Sequence, residues 1–346
     1  MQYTDNHPKL PSGRHKNAMV VHGILRKLFF YLCIRCHIAH QINFSVKMQI
    51  LDGNLTARTI KGEIAQEVAS MVEQNGKRPH LAAILVGENG ASMTYVGAKV
   101  KACEEVGFTS TLVHKSSNCT EQELLDIVHA MNNDSEIDGY IIQLPLPAHI
   151  DDKKILQAVN PKKDVDGFHP ENIGRMALQL PCFLPATPAG IVTLLERYNI
   201  PTAGKHCVIL GRSHIVGMPM NLLMQRNAQP GNCTVTVVHS KSHGVADLCR
   251  QADILIAAIG QPEFVKADMV KEGAVVIDVG IIRVPDASKK TGFRLCGDVA
   301  FDEVAPKCSF ITPVPGGVGP MTIVSLLSNT LLAAKNNFIP KNGNNL

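Results

Sequence analysis

Val208-Ile209-Leu210-Gly211-Arg212-Ser213-His214-Ile215-Val216-Gly217-Met218-Pro219 decides the fold of this chain. An apolar run from His206 to Leu210 ends in a glycine turn, and a helix opens at its far end. Strand, glycine turn and helix N-terminus in that order begin a βαβ unit, which demands a parallel sheet with helices packed on its faces. At such a turn the backbone N–H groups and the positive end of the helix dipole converge, and the place where they converge binds anions. The strict Gly-x-Gly-x-x-Gly spacing is absent, because Ser213 stands near the middle glycine position and Gly217 comes one residue late. The physical context survives. A nucleotide phosphate site at Gly211, Arg212, Ser213 and Gly217 is therefore preferred to a plain βαβ turn.

Working outward, apolar runs at Thr234 to His239, Ile254 to Ala258, Val275 to Val279 and Phe310 to Val314 supply later strands. Upstream, helical periodicity covers about Leu55 to Asn75 and Ser92 to Val106, and strands cover Leu81 to Val86, Thr109 to His114 and Gly139 to Gln143. Thr120 with Glu123 three residues later forms a capping box. Thr187 and Pro188 read as the cap and first turn of a helix reaching Tyr198, and Pro320 as the first position of a last helix, Met321 to Lys335. The fold class is α/β and two-lobed: an N-terminal three-layer α/β domain and a C-terminal Rossmann-type domain with a cleft between them. Residues 48–187 with 320–346 form the first lobe, 188–319 the second, and 1–47 an extension.

A chain of 346 residues with 45% hydrophobic content can fill two such domains. It has no run of eighteen apolar residues, so no membrane partner is expected. Residues 1–47 hold seven Lys/Arg against one acid, a net of +6, so the remainder of the +4 chain carries −2. The body is near neutral and offers nucleic acid no basic face. Ten cysteines scattered singly fit a reducing compartment, and a cytoplasmic location is expected. Cys33-Ile34-Arg35-Cys36-His37 spells the haem-attachment pattern without a haem fold around it, and chance is the preferred explanation. For residues 1–47 a mitochondrial transit peptide is supported by scarce acids and opposed by scarce serine. An upstream start codon, with Met48 the true first residue, is preferred because ordered-looking sequence begins abruptly there.

An NAD site usually offers a carboxylate to the ribose hydroxyls after the next strand. Here that strand runs into His239-Ser240-Lys241, with no acid. Arg212 in the turn together with a hydroxyl suits a 2′-phosphate, so NADP is favoured over NAD. The alternative is that Arg212 and Lys241 are solvated surface charges.

In the first lobe, Tyr95 and Lys99 lie four apart on one helical face. A tyrosine beside a desolvated lysine can move protons near neutral pH; most such pairs are surface pairs. Gln143 ends a strand just before Leu144-Pro145-Leu146-Pro147, where open α/β sheets present ligand crevices. Lys163-Asp164-Val165-Asp166-Gly167 supplies a carboxylate in a tight loop, or merely an Asp-Gly turn. Ile311-Thr312-Pro313-Val314-Pro315-Gly316-Gly317-Val318-Gly319-Pro320-Met321-Thr322 is stiff at its prolines and bare at its glycines, which suits a backbone lying flat on a ligand.

Taken together, these segments, with Pro185-Ala186-Thr187-Pro188, resemble the bifunctional methylenetetrahydrofolate dehydrogenase/methenyltetrahydrofolate cyclohydrolase family, in family order over essentially 48–340. The resemblance implies a two-lobed α/β protein, usually a homodimer, acting on tetrahydrofolate derivatives. It implies NADP-linked oxidation of 5,10-methylene-tetrahydrofolate to the 5,10-methenyl form, then hydrolysis to 10-formyl-tetrahydrofolate. Lys99 matches the catalytic lysine, Tyr95 the residue that orders the pterin and that lysine, and Gln143 the partner that tunes it. Asp166 matches the pterin-binding carboxylate, and Pro313, Gly316 and Gly317 the lining of the folate and nicotinamide. Arg212 and Ser240 match the holders of the 2′-phosphate. Gly280-Ile281-Ile282-Arg283 departs from the family's Gly-Ile-Asn-Arg, so Ile282 is given no role. A dehydrogenase lacking the second step is disfavoured by the presence of both Lys99 and Gln143. A non-catalytic dinucleotide sensor would not need Tyr95, Lys99, Gln143 and Asp166 together.

Overall fold

A computed structural model describes residues 48–74, 76–289 and 292–335. The readings of residues 1–47, including Cys33 to His37, lie outside the described residues. The chain enters through β1 (Gln49–Ile50) and α1 (Gly53–Glu73), then alternates β2 (His80–Val86), α2 (Gly90–Val106), β3 (Thr109–Lys115), α3 (Glu121–Asn133) and β4 (Gly139–Ile142). Helices α4 (Asp152–Ala158), α5 (Pro170–Ala177) and α6 (Ala186–Arg197) lead to the second series. That series is β5 (His206–Leu210), α7 (Gly217–Gln225), β6 (Thr234–Val238), α8 (Val245–Arg250), β7 (Ile254–Ala257) and β8 (Ala274–Asp278). A hairpin of β9 (Ile282–Pro285) and β10 (Phe293–Cys296), a short α9 (Phe301–Val304), β11 (Cys308–Ile311) and the long α10 (Val318–Ala334) complete it.

Two parallel sheets result. The smaller has the order β3-β2-β4, and the larger β1-β11-β8-β7-β5-β6. Side chains alternate across a strand, and β2 shows the consequence. Leu81, Ala83 and Leu85 join the core under α1, α2 and α10, whereas Ala82, Ile84 and Val86 join that under α3 and α4. In the larger sheet Cys207 and Ile209 of β5 face Met220 and Leu223 of α7, while Val208 and Leu210 face Cys249 of α8. Each sheet is therefore the middle of three layers, as the fold class requires. No helix among the described residues is long and apolar enough to cross a membrane.

Local chemistry sets the element ends. On α1, Ala57, Ile60, Ile64 and Val68 make the buried stripe, and Asp52 Oδ1 accepts from Leu55 N at 2.9 Å to cap its start. The capping box of Thr120 and Glu123 is present on α3. The reading of Thr187 as a cap is corrected. Helix α6 begins at Ala186 with Pro185 before it and no side-chain cap, and the Thr187 hydroxyl instead sits 3.1 Å from that of Thr322. Helix α10 likewise starts at Val318, two residues before Pro320. Proline is tolerated there because N–H groups of the first turn lack helical acceptors anyway. Strand β11 stops at Ile311, short of Val314: Thr312 N makes the last ladder bond, to Val276 O, its Oγ1 takes the Asp278 N–H at 2.7 Å, and Pro313 has no N–H to continue.

In the larger sheet, β5 passes to β6 on one side and then to β7 on the other. The carboxyl ends of β5 and β7 flank the point where the winding reverses, which is where open α/β sheets hold ligands.

Candidate active site

Helix α2 carries Tyr95 and Lys99 on adjacent turns. Lys99 is only 5% exposed. Its Nζ lies 4.8 Å from the centroid of the Tyr95 ring and donates to Gln143 Oε1 at 3.3 Å. Gln143 follows β4, and its amide Nε2 donates to Leu144 O at 2.7 Å, which leaves the oxygen end for the lysine. Burial pushes the Lys99 pKa down, and the Asp166 carboxylate opposes that shift. Burial pushes Asp166 up, and Lys99 opposes that. Burial thus disfavours the charged form of both groups, and their mutual attraction opposes it. The Tyr95 phenol is pushed up to about 12 by burial, against a hydrogen bond with the Thr322 side chain and with a further rise from Asp166. Tyr95 is therefore a neutral donor, not a base.

The neighbouring Asp164 is different. Its Oδ1 accepts from Gly167 N at 3.1 Å and Phe168 N at 3.3 Å, and its Oδ2 from His169 N at 2.7 Å and Asn172 Nδ2 at 2.9 Å. Burial pushes it up to about 7 against these donors. Asp164 ties the loop, and Asp166 is left for the site.

Pro313, Gly316 and Gly317 line a cavity of about 820 Å³ whose other wall is built from α1 and α2, including Tyr95. The loop is held from outside. Asn54 N donates to Gly316 O at 3.1 Å, and a Cβ on Gly53 would fall 1.7 Å from Gly317 O. Only glycine admits that approach.

A second cavity, of about 500 Å³, opens beside the carboxyl ends of β5 and β7. Gly211, Arg212, Ser213 and Ser240 line it, and its wall contains no acid. Gly211 has φ +121°, and a Cβ there would lie 2.2 Å from Ala258 O. Gly217 stands behind the wall, where a Cβ would lie 2.2 Å from Gly211 O, so it brings α7 close to the turn. Ser213 Oγ accepts from Val216 N at 3.1 Å and Gly217 N at 3.5 Å, which fixes the turn just ahead of α7. These features, bare backbone with an exposed arginine and hydroxyls and no carboxylate, fit a phosphorylated dinucleotide.

A family model for the tetrahydrofolate dehydrogenase/cyclohydrolase catalytic domain matches residues 51–166, and one for the NAD(P)-binding domain of the same name matches 185–338. The bifunctional protein FolD of Porphyromonas gingivalis is 62% identical over 287 residues, covering 83% of this chain and 97% of its own. The chain belongs to the tetrahydrofolate dehydrogenase/cyclohydrolase family. Among solved structures, bifunctional FolD methylenetetrahydrofolate dehydrogenase/cyclohydrolase from Campylobacter jejuni is 45% identical, with TM-score 0.78 and coverage of 84% of this chain and 99% of that one. The Trypanosoma brucei methylenetetrahydrofolate dehydrogenase-cyclohydrolase, complexed with NADP and an inhibitor, is 38% identical, with TM-score 0.79 and coverage of 84% and 98%.

The family's catalytic-domain match contains Tyr95, Lys99, Gln143 and Asp166, and its NAD(P)-binding match contains Gly211 to Gly217, Ser240 and Pro313 to Gly317. Sequence reasoning missed three groups that hold these residues. Thr322, quoted within its motif but given no role, reaches back to Tyr95 and on to Thr187. Asp298, fully buried, accepts from Ile259 N and Gln261 N at 2.7 Å each and fixes the loop after β7. Asn329 Nδ2 donates to Val165 O at 2.8 Å and Leu184 O at 2.9 Å, bracing the loop that carries Asp166. A lone Asp or Asn far along the chain carries no local signal of such a contact.

Proposed function

We infer that this protein oxidises 5,10-methylene-tetrahydrofolate to 5,10-methenyl-tetrahydrofolate with NADP and hydrolyses the product to 10-formyl-tetrahydrofolate. The observation that carries the reading is the buried Lys99 amine, held between the Tyr95 ring and the Gln143 oxygen within the field of Asp166. Bound NADP accepts the hydride from the methylene carbon. Gly211, Arg212, Ser213, Gly217 and Ser240 are assigned to hold it, with Arg212 and Ser240 on the 2′-phosphate.

In the assignment made here, Asp166 accepts two N–H bonds from the pterin edge and so sets which face of the folate meets the nicotinamide. Tyr95 packs against the folate and against Lys99. In the hydrolytic step Lys99, in its neutral form, takes the proton from water adding to the methenyl carbon. The resulting ammonium returns a proton to the departing ring nitrogen as the carbon–nitrogen bond breaks. The Gln143 oxygen stabilises the ammonium, which the apolar surroundings disfavour. Pro313, Gly316 and Gly317 close the folate and nicotinamide from the other lobe.

The same reading assigns residues 48–187 with 320–346 to the folate lobe and 188–319 to the NADP lobe. It takes the protein as a cytoplasmic homodimer supplying formyl groups for purine biosynthesis. The test is direct. Given 5,10-methylene-tetrahydrofolate and NADP, the protein should generate reduced nicotinamide, and given methenyl-tetrahydrofolate alone it should bleach the methenyl absorbance. Binding of both ligands without either optical change would overturn the reading.

A further inference from the structure

We propose that Asp298 is a positioning residue for the dinucleotide: its carboxylate holds the loop after β7 in the shape that walls the 500 Å³ cavity. The proposal rests on the NADP reading above and adds to it a residue outside the cavity wall. Ala258, Ile259, Gln261 and Phe264 of that loop line the cavity together with Arg212 and Ser240. A loop of this kind takes its shape from where its N–H groups go, because a buried backbone donor must find an acceptor. Here Ile259 N donates to Asp298 Oδ2 and Gln261 N to Asp298 Oδ1, each at 2.7 Å. Asp298 is fully buried, and no ion pair reaches it among the described residues. A buried carboxylate without a cation takes its stabilisation from hydrogen-bond donors, so its charge keeps both loop N–H groups turned into the protein.

The segment that carries Asp298 is held without the help of that side chain. Gly297 O accepts from Glu263 N at 2.9 Å, Asp298 O accepts from Val265 N at 2.8 Å, and Ala300 N donates to Val265 O at 2.9 Å. The Asp278 carboxylate accepts from Asp298 N and Val299 N at 2.9 Å each. Gly297 makes that approach possible, since a Cβ there would lie 1.9 Å from Asp278 Oδ2. Backbone bonds and Asp278 thus fix the anchor, and both hydrogen bonds of the Asp298 carboxylate go to the loop. The loop in turn bears on the phosphate turn. Ala258 N donates to Leu210 O at 2.8 Å, and a Cβ on Gly211 would fall 2.2 Å from Ala258 O. A displaced loop would therefore press on Gly211 or part from it. Held by Asp298, the wall is ordered before the cofactor arrives, and binding does not bear the cost of ordering it.

The test is Asp298→Asn in the intact chain. The amide keeps the size of the side chain but sets its NH₂ against one of the two loop N–H groups, so one acceptor becomes a donor. Hydrogen bonds to a charged acceptor are worth roughly 10- to 100-fold in an equilibrium constant, and the KM for NADP should rise by about that factor. Hydrolysis of methenyl-tetrahydrofolate consumes no NADP and is assigned to Lys99 in the other lobe; without NADP it should proceed near the wild-type rate. An unchanged KM for NADP would overturn the proposal and leave the enzymatic reading intact. So would an equal loss of both reactions, which is what a general folding defect produces. Should the variant fail to fold, hydrogen exchange of the wild type decides. A loop held by Asp298 exchanges slowly over residues 258–261 before NADP is added, whereas fast exchange that slows only on NADP binding would overturn the proposal. Failure of the wild type to reduce NADP would overturn the functional reading and the proposal with it.

Discussion

Two carboxylates two residues apart, Asp164 and Asp166, are held in different ways: Asp164 accepts four hydrogen bonds from its own loop and α5, and Asp166 faces Lys99. Removing the Asp164 carboxylate would leave the loop N–H groups of Phe168 and His169 without their acceptor, while Gly167 N keeps Asp164 O and the Asn172 amide keeps Pro161 O. Asp164→Ala should therefore lower unfolding stability by about 3 kcal/mol or more, read by urea denaturation. Asp166→Ala removes no such acceptor; it should leave the denaturation midpoint within about 1 kcal/mol of wild type while raising the folate KM. An equal stability loss in both would mean that the roles are misassigned. Lys99→Met should cut cyclohydrolase turnover by about 10²–10⁴-fold, with a smaller loss of hydride transfer. Burial lowers the Lys99 pKa, so the neutral amine forms at a lower pH than for a free lysine. Cyclohydrolase activity should accordingly rise with pH through a limb below 10.5, and that limb should be missing in Lys99→Met. Arg212→Ala should raise the KM for NADP far more than that for NAD; a uniform rise would remove the 2′-phosphate assignment. The residues of this site were legible where spacing encodes a shared face, as for Tyr95 and Lys99, or where a strand ends, as for Gln143. Thr322, Asn329 and Asp298 were not, because they act through partners that are distant in sequence.

At the scale of elements, the loop from Thr312 to Gly317 is shaped by a segment at the opposite end of the chain. Leu51 N donates to Ile311 O at 2.8 Å, Asn54 N donates to Gly316 O, and Gly53 packs its bare Cα against Gly317. Alanine is favoured over glycine within a helix by about 1 kcal/mol, so on propensity alone Gly53→Ala would be neutral or stabilising. Its Cβ, however, meets backbone, which cannot rotate away. The loop must shift by an ångström or so, and displacements of that size at a positioned site cost about 10²-fold. Gly53→Ala should lower kcat/KM for methylene-tetrahydrofolate by roughly 10- to 100-fold with little loss of helicity by circular dichroism. Unchanged kinetics would show that the loop is not part of the site. The strands of both sheets were readable because parallel strands buried on both faces are near-continuous apolar runs. Strand β1 was not, since two residues carry no period, and its pairing with β11 lies some 260 residues away in sequence. The hairpin of β9 and β10 escaped because each strand is only four residues long, too short for its alternation of apolar and charged residues to register. Helix starts were misplaced where Thr187 and Pro320 imitate caps and first positions while tertiary hydrogen bonds and close packing set the actual ends.

Across the whole molecule from Met48 onward, the decisive feature is that one core serves both sheets. Leu81, Ala83 and Leu85 of the small sheet belong to the same contiguous cluster as Ile209, Ile256 and Ile277 of the large one, joined through α6 and α10. Helix α10 follows the large sheet in sequence yet packs against α1, α2 and α6. Neither sheet can lose its packing without exposing apolar surface of the other, and each such buried side chain is worth about 1.5–3 kcal/mol. The two lobes should therefore melt together. NADP at about 100 times its Kd adds about 2.7 kcal/mol to the state that binds it. For a chain of this size that should move the midpoint of a single transition upward by about 4 °C. The decisive measurement is calorimetry with and without NADP, alongside hydrogen exchange of β2 and β5. With one cooperative unit, NADP protects β2 as much as β5, despite its assignment to the lobe containing β5 alone. A second, unshifted transition, or protection confined to β5, would show that the common core does not couple the lobes.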